Sequence, residues 1–518
     1  MNGNEPTSSS PPGSLERFLE VASDFQLGAL ETEQPRAETA DLSRMAREDL
    51  GAAVEILKGI DEAALAQLEG YLPQIEVLAK AIGETLTRGK RIFLCGCGAT
   101  GRLSISLEFF AGEGLLGEGL AGQVIGFMAG GDAVLVRAIE RFEDFPEYGA
   151  RQLQELGFEE GDLMVGITEG GETPFVIGAT EAAARQSANR PFFLYCNPDE
   201  VLAEVAPRSK RVLENDAIRK TNLTVGPMAI TGSTRMQAST VQMAAVGWAL
   251  ACHREPGRVG EYAVAFGEWV AESDWSFLPE LIACEASAYD EGRFVLYEPG
   301  VFGITVLTDT TERSPTFSLP PFENVQRSED APSWCYLHVE ADTAAEAWES
   351  LLGREPRTLA WGGLEHLTGE GNLLGFDFSN EVVARRAGLG EHLKFTITNR
   401  RLALALGLGD LSFDFPVEGQ DLFSRHLLLK LLLNAHSTLV MGRRGRFAGN
   451  VMTHVNATNN KLIDRAIRYV RILLDSRHGL QAGYEEVARA LFEVRASLAP
   501  DEPIVLQTVA WFLERQGK

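Results

Sequence analysis

The residues of this chain best suited to chemistry lie in two glycine-rich segments. In Cys95-Gly-Cys-Gly-Ala-Thr-Gly-Arg102 the glycines let the backbone turn sharply and approach a ligand. A strand running into a helix here leaves amides and the Thr100 hydroxyl free at a helix N-terminus, a place that favours phosphate. In Val165-Gly-Ile-Thr-Glu-Gly-Gly-Glu-Thr-Pro-Phe175 Thr173 and Pro174 read as a helix start, a capping hydroxyl followed by proline at the first helical position. Thr168 and Gly170 then stand where an anion is gripped from the other side. The run from Gly96 to Gly101 is literally G-x-G-x-x-G, so a dinucleotide site is an alternative. Two hydroxyl-bearing loops suit a phosphosugar better. Ordinary strand-to-helix turns are the plain alternative for both.

The first loop recurs in damaged form. Arg91-Ile-Phe-Leu-Cys-Gly-Cys-Gly-Ala-Thr-Gly101 is matched by Arg293-Phe-Val-Leu-Tyr-Glu-Pro-Gly-Val-Phe-Gly303, an offset of 293 − 91 = 202 residues. The same offset pairs Gly98 with Gly300, Gly101 with Gly303 and Phe110 with Glu312. The chain reads as two related α/β halves that have decayed in different places. One keeps the anion-binding loop, and the other keeps a carboxylate where the first has phenylalanine. That pattern predicts one working site shared between them.

The elements that must position these loops follow from periodicity. Apolar residues at helical spacing from Leu42 to Leu86 predict one or more amphipathic helices. Strands are expected at Arg91–Cys95, Val124–Met128, Asp162–Thr168 and Phe192–Cys196, alternating with helices such as Arg102–Ala111 and Thr173–Gln186. That order implies a parallel sheet with helices on its faces and a ligand beyond the carboxyl ends of its strands. A long apolar helix, about Thr234 to Cys252, closes the first half, and the pattern is helical again from about Arg446. The domain reading is a flexible tail over 1–41, a first α/β domain with its N-terminal helices over 42–256, a connection over 257–290, a second, degenerate domain over 291–445 and a helical cap over 446–518. No long Gly, Pro or Ser linker separates the halves, so they are expected to pack together.

Composition narrows the function. A net charge of −26 without a Lys/Arg block argues against nucleic acid. The polar start lacks the apolar core of a signal peptide, and the strongest apolar run, Leu427 to Leu433, is broken by Lys430 and too short to span a bilayer. A cytoplasmic protein without membrane contact is expected. The six cysteines sit mostly in apolar stretches, and Cys95 and Cys97 form a C-x-C without the second pair of a zinc ribbon. They read as buried reduced thiols, with neither a metal nor a cofactor expected.

An ordered set of strings then resembles a known family. Leu30-Glu-Thr-Glu33, Cys97-Gly-Ala-Thr-Gly-Arg-Leu103, Met128-Ala-Gly-Gly-Asp132, Glu140-Arg-Phe-Glu-Asp144, Gly166-Ile-Thr-Glu-Gly-Gly-Glu-Thr-Pro174, Cys196-Asn-Pro198, Thr231-Gly-Ser-Thr-Arg-Met236, Thr308-Asp-Thr-Thr-Glu-Arg-Ser-Pro-Thr-Phe317 and Ala457-Thr-Asn-Asn-Lys-Leu462 are similar to the sugar isomerase (SIS) branch that holds N-acetylmuramic acid 6-phosphate etherase and glucokinase regulatory protein. The resemblance implies two SIS-type domains, each a parallel sheet flanked by helices on both faces, with a helical N-terminal segment and a C-terminal helical cap. A double-SIS chain with a cap is the layout of the regulatory protein. By the same resemblance a phosphorylated hexose or aminosugar contacts Gly98, Ala99, Thr100, Gly101, Glu143, Thr168, Glu169, Gly170, Thr173, Ser233, Arg235, Glu312, Asn459 and Lys461. Glu172 departs from the family, and a carboxylate near phosphate repels it unless turned away.

The resemblance implies a regulator or sensor that binds a sugar phosphate and a protein partner such as a sugar kinase. The alternative is an etherase-type lyase releasing D-lactate. That lyase uses one glutamate as base and another as acid, here Glu143 and Glu312. A sugar-phosphate isomerase is a third reading, without an evident histidine or lysine set in the loops. Without the resemblance, Glu143 reads as a solvated helix carboxylate, Glu312 as a helix-capping one and Lys461 as a surface lysine. Arg235 stiffens the site in its plainer reading.

Overall fold

The computed structural model describes residues 14–25, 27–139, 142–499 and 501–515. The polar start over 1–13 and two residues of the Glu140–Asp144 string, Glu140 and Arg141, lie outside them. The first half is a five-stranded sheet in the order β2-β1-β3-β4-β5, every neighbouring pair parallel. Its strands are β1 (Ile92–Gly96), β2 (Val124–Met128), β3 (Leu163–Ile167), β4 (Phe192–Tyr195) and β5 (Arg219–Asn222). Four coincide with the expected strands within a residue or two. The fifth, Arg-Lys-Thr-Asn, carries no apolar alternation to betray it.

Buried on both faces, β1 divides its side chains between two cores. Ile92 and Leu94 join the large cluster that runs through both halves, while Phe93 and Cys95 join a second one with Phe127, Phe175 and Phe193. This is the period-2 alternation of a strand covered by helices on both sides. The helices that matter for the site are α1 (Gly98–Gly112), α2 (Pro174–Gln186), α3 (Gln237–Ala251), α4 (Gly303–Phe317), α5 (Leu422–Arg443) and α6 (Asn460–His478). Both α3 and α5 are buried nearly all round, as helices hydrophobic on every side must be.

The 202-residue repeat is real in three dimensions. β6 (Phe294–Glu298) coincides with β1 under the offset, and Gly300 holds φ 53° where Gly98 holds 54°. Both are left-handed conformations that favour glycine. With β7 (Cys335–Leu337) and β8 (His392–Asn399), β6 rebuilds the parallel core of the first sheet, order β7-β6-β8 matching β2-β1-β3. There the halves part. β8 turns back antiparallel into β9 (Ala403–Leu408) and β10 (Leu411–Pro416). The second sheet is therefore mixed and has no counterpart of the β3-to-α2 loop.

Two further expectations change. Residues 14–41 are not a loose tail over their described length. They form the helix Leu15–Val21 and several 3-10 turns, with Phe18, Leu27, Leu30, Thr32 and Glu33 buried. The region after Arg446 begins with a short hairpin, Phe447–Ala448 against Val451–Met452, before its helices. The helices expected between Leu42 and Leu86 are Leu42–Glu48, Leu50–Gln67 and Leu72–Thr87. None of the six cysteines is in a disulfide, and all but Cys284 are buried. Among the described residues no helix is long and apolar enough to cross a membrane.

Candidate functional site

At the carboxyl end of β1 the chain makes the turn its glycines require. A Cβ on Gly101 would stand 2.5 Å from Cβ of Met128, so only glycine lets α1 pack this close to β2. Thr100 departs from its expected role. Its hydroxyl donates to the Cys97 carbonyl at 2.9 Å and accepts from the Cys97 N–H at 3.0 Å. It is a buried cap of α1 and not a free anion ligand. What α1 offers an anion is the first-turn N–H groups of Gly98 and Ala99, which have no intrahelical acceptor.

The second loop leaves β3 and enters α2. The Thr168 and Thr173 hydroxyls bond to each other at 3.0 Å, and the Gly170 carbonyl accepts from Asn197 at 3.1 Å. Glu169 is 8% exposed, and one of its carboxylate oxygens is buried without a hydrogen bond. Burial pushes its carboxyl up to about 7; the Glu312 and Glu143 carboxylates push the same way, and Lys461 pulls against them. Glu169 thus feels both glutamates proposed for chemistry.

The second half brings α4 and α5 over these loops. A narrow cleft is lined by Ala99, Arg102 and Leu103 of α1, Thr308, Asp309 and Glu312 of α4, and Lys430 and Asn434 of α5, with Ser239 and Met243 of α3 behind. Glu312 is 7% exposed, and no described residue hydrogen-bonds its carboxylate or that of Glu143. Burial raises the Glu312 carboxyl, while Arg102, Arg235 and Lys430 draw it down. Lys430, buried and donating to the Thr240 hydroxyl at 2.8 Å and the Arg235 carbonyl at 3.0 Å, is lowered to about 8 by burial, with Glu312 opposing. Lys430 and Arg102 are the site cations that the sequence reading passed over. The available signal was a lone lysine inside Leu427–Leu433, since a charge on an all-round apolar helix is buried and must find partners.

Several other expected contacts prove to be structural ties. Arg235 pairs with Asp309 at 3.1 Å and donates to Ser437 and Thr438, which is its stiffening role. The Asn459 side chain accepts from the Leu462 N–H at 2.9 Å and caps α6. Ser233 is buried, with its hydroxyl unpaired. Gly232 beside it stands against the Tyr469 hydroxyl of α6, which donates to the Thr231 carbonyl at 2.5 Å. Glu33 of the N-terminal segment bonds Arg465 and Arg468 of α6, and these arginines outweigh burial and hold its carboxyl near 2. Asn197 joins Thr32 to the second loop. Strings shared with the family thus lock the N-terminal segment, loops and cap together around the cleft.

Lys461 and Glu172 belong to one cluster. Lys461 Nζ stands 2.6 Å from one Glu172 oxygen, and Arg208 donates to the other at 2.5 Å. Burial raises the Glu172 carboxyl, but these two cations outweigh it and hold it near 2. The carboxylate that would repel phosphate is therefore already neutralised.

A model of the glucokinase regulatory protein N-terminal SIS domain matches residues 75–184. The N-acetylmuramic acid 6-phosphate etherase of Lactococcus lactis subsp. cremoris (strain SK11) is 34% identical over 219 residues, 42% of this chain and 68% of that enzyme. The chain belongs to this family. The etherase of Klebsiella aerogenes is also 34% identical, over 42% of this chain and 67% of its own, and that of Aliivibrio fischeri (strain MJ11) is 36% identical over 38% and 61%. The chain thus spans about three fifths to two thirds of these etherases. Among solved structures, the C-terminal domain of glucosamine-fructose-6-phosphate aminotransferase from Francisella tularensis overlays with a TM-score of 0.33 at 10% identity, over 74% of this chain and 96% of that one. The first-half position equivalent to Glu312 is filled by Phe110.

Proposed function

We propose that this SIS-family protein binds a phosphorylated hexose or aminosugar at one site per chain, formed by both halves, and that it works as a regulator or sensor. The observation that carries this reading is the cleft itself, where Ala99 of the first-half loop and Glu312 of the second-half helix face the same space. The first-turn amides of α1 and the loop after β3 supply an anion grip. Carboxylates at Glu143, Glu169 and Glu312 suit a polyol, whose hydroxyls donate to them. A phosphosugar that binds the native state raises its melting temperature by an amount set by concentration over Kd. Thermal melting against hexose and aminosugar 6-phosphates at millimolar concentration tests the reading. No shift with any of them would overturn it, and a larger shift with NADH would favour a dinucleotide.

A lyase of the etherase type is the second reading, and one observation favours it. Among the described residues none hydrogen-bonds the Glu143 or Glu312 carboxylate, and the Glu169 carboxyl, which feels both, is pushed up to about 7 by burial. Two carboxylates without hydrogen-bond partners and one carboxyl whose proton burial favours are the groups a base-and-acid elimination needs. Such an elimination removes a proton from carbon, breaks the carbon–oxygen bond and returns a proton to the departing lactate oxygen. Incubation with N-acetylmuramic acid 6-phosphate and assay for D-lactate separates the two readings.

A further inference from the structure

The cations of the cleft and of the neighbouring loops are not equally available to a ligand. Arg102 is buried and donates to Thr311 and the Leu135 carbonyl, and Arg235 is buried against Asp309. Lys430 is buried against Thr240. Solvent reaches two others: the side chains of Lys461 and Arg208 are 33% and 25% exposed. Those two converge on the start of α2, where both hydrogen-bond the Glu172 carboxylate, with Asp144 near enough to feel all three. Each cation takes a different oxygen, at 2.6 and 2.5 Å, and Arg208 also donates to the Glu172 carbonyl at 2.5 Å. A carboxylate held by charge-assisted bonds from two directions, just ahead of a helix N-terminus, is bound as an anionic ligand would be.

We propose that Glu172 is a built-in competitor of the ligand's phosphate. The clamp of Lys461 and Arg208 closes on Glu172, and a phosphomonoester binds by taking Lys461 from it. Glu172 thereby sets how strongly the site favours a phosphorylated sugar over the plain sugar. The inference rests on the phosphosugar reading above. Lys461 is placed for the exchange: it starts α6, and it lies close enough to both Glu172 and Glu143 for each carboxylate to raise its affinity for its proton. Arg208 can keep Glu172 neutralised once Lys461 has moved, so the exchange strands no buried charge. Removing the Glu172 carboxylate therefore tests the exchange directly.

Glu172→Gln keeps the shape and an acceptor for Lys461 while deleting the charge. The two cations it leaves are partly solvated, so the fold is expected to survive. Calorimetry of the full chain with N-acetylmuramic acid 6-phosphate should show binding tightened by roughly tenfold, the worth of one charge-assisted hydrogen bond. Binding of unphosphorylated N-acetylmuramic acid should change by less than about twofold on the same scale. The double variant with Lys461→Met should lose the gain. Glu172→Ser, expected to act in the same direction, replaces the glutamine variant if that one does not fold. If the wild type binds the 6-phosphate and neither variant binds it more tightly, the competitor role is wrong and the phosphosugar reading stands. If neither the wild type nor the variants bind this or any other hexose or aminosugar 6-phosphate, the phosphosugar reading falls and the competitor role with it.

Discussion

The two positions related by the internal repeat have opposite chemistry. At one, Glu312 faces Ala99, Arg102 and Lys430 across a cleft. At the other, Phe110 is fully buried, its ring 4.7 Å from that of His426 and 5.5 Å from that of Phe423, with the Phe302 ring also 4.7 Å from the same imidazole. His426 is driven down to about 3 by burial, so this pocket is neutral as well as apolar. The backbone agrees: the first half has a loop entering α2 after its third strand, and the second half runs straight into an antiparallel hairpin. A duplicated fold keeps its packing by filling the position it no longer uses. Filling it also removes a buried charge that would lack partners.

Restoring the lost symmetry should therefore break the protein and not revive a second site. Phe110→Glu places a carboxylate among Phe302, Phe423 and a neutral His426, and the expected loss is roughly 3–5 kcal/mol in denaturant unfolding. A variant of wild-type stability that binds a second ligand would refute the contrast.

The live position is sharpened by its pH dependence. Glu169 titrates near 7 in the folded protein against 4.5 for an ordinary glutamate. It binds its proton more tightly when folded, so its contribution to stability is whole below about pH 4.5 and is lost as pH rises through 7. Asp61, also raised to about 7 by burial, acts with the same sign. Asp144, raised to about 6 by burial, adds to this, whereas His426 and His454, lowered to about 3 and about 4 by burial, oppose it; the melting temperature of Glu169→Gln relative to wild type should therefore rise between pH 4.5 and 7. A difference that stays constant across that range would mean that Glu169 is ionised and solvated.

The smallest effect concerns the loop. With its hydroxyl committed to Cys97, Thr100→Val should cost about 1 kcal/mol of stability as a lost helix cap, while Thr168→Val, which also loses a part-buried hydrogen bond to Thr173, should cost about as much and in addition weaken ligand binding. Abolished binding in a Thr100→Val variant that melts like wild type would return Thr100 to the role of a direct ligand.

Much of this was legible in the chain. The 202-residue offset gave both glycine turns and the exchange of Phe110 for Glu312, because a left-handed turn and a buried side chain leave marks at single positions. Strand positions in the first half followed from apolar runs buried on both faces. Strand direction did not: periodicity is the same for parallel and antiparallel neighbours, so nothing in the sequence corrects the parallel sheet that the resemblance implies for the second half. Thr100 was misjudged because a hydroxyl at a helix start serves its own backbone as readily as a ligand. Lys430 was missed because its partners, Thr240 and the Arg235 carbonyl, lie 190 and 195 residues away. The order of residues 14–41 was hidden for a similar reason, since Glu33 is held by Arg465 and Arg468 of the cap.

One measurement bears most directly on a single site built from both halves: calorimetric titration of the full chain with the phosphosugar that gives the largest melting shift. The account predicts one ligand per chain, with Glu312→Gln weakening binding about as much as Glu143→Gln although the two residues stand in different halves. Two equivalent ligands per chain, or a Glu312→Gln variant that binds like wild type, would contradict it.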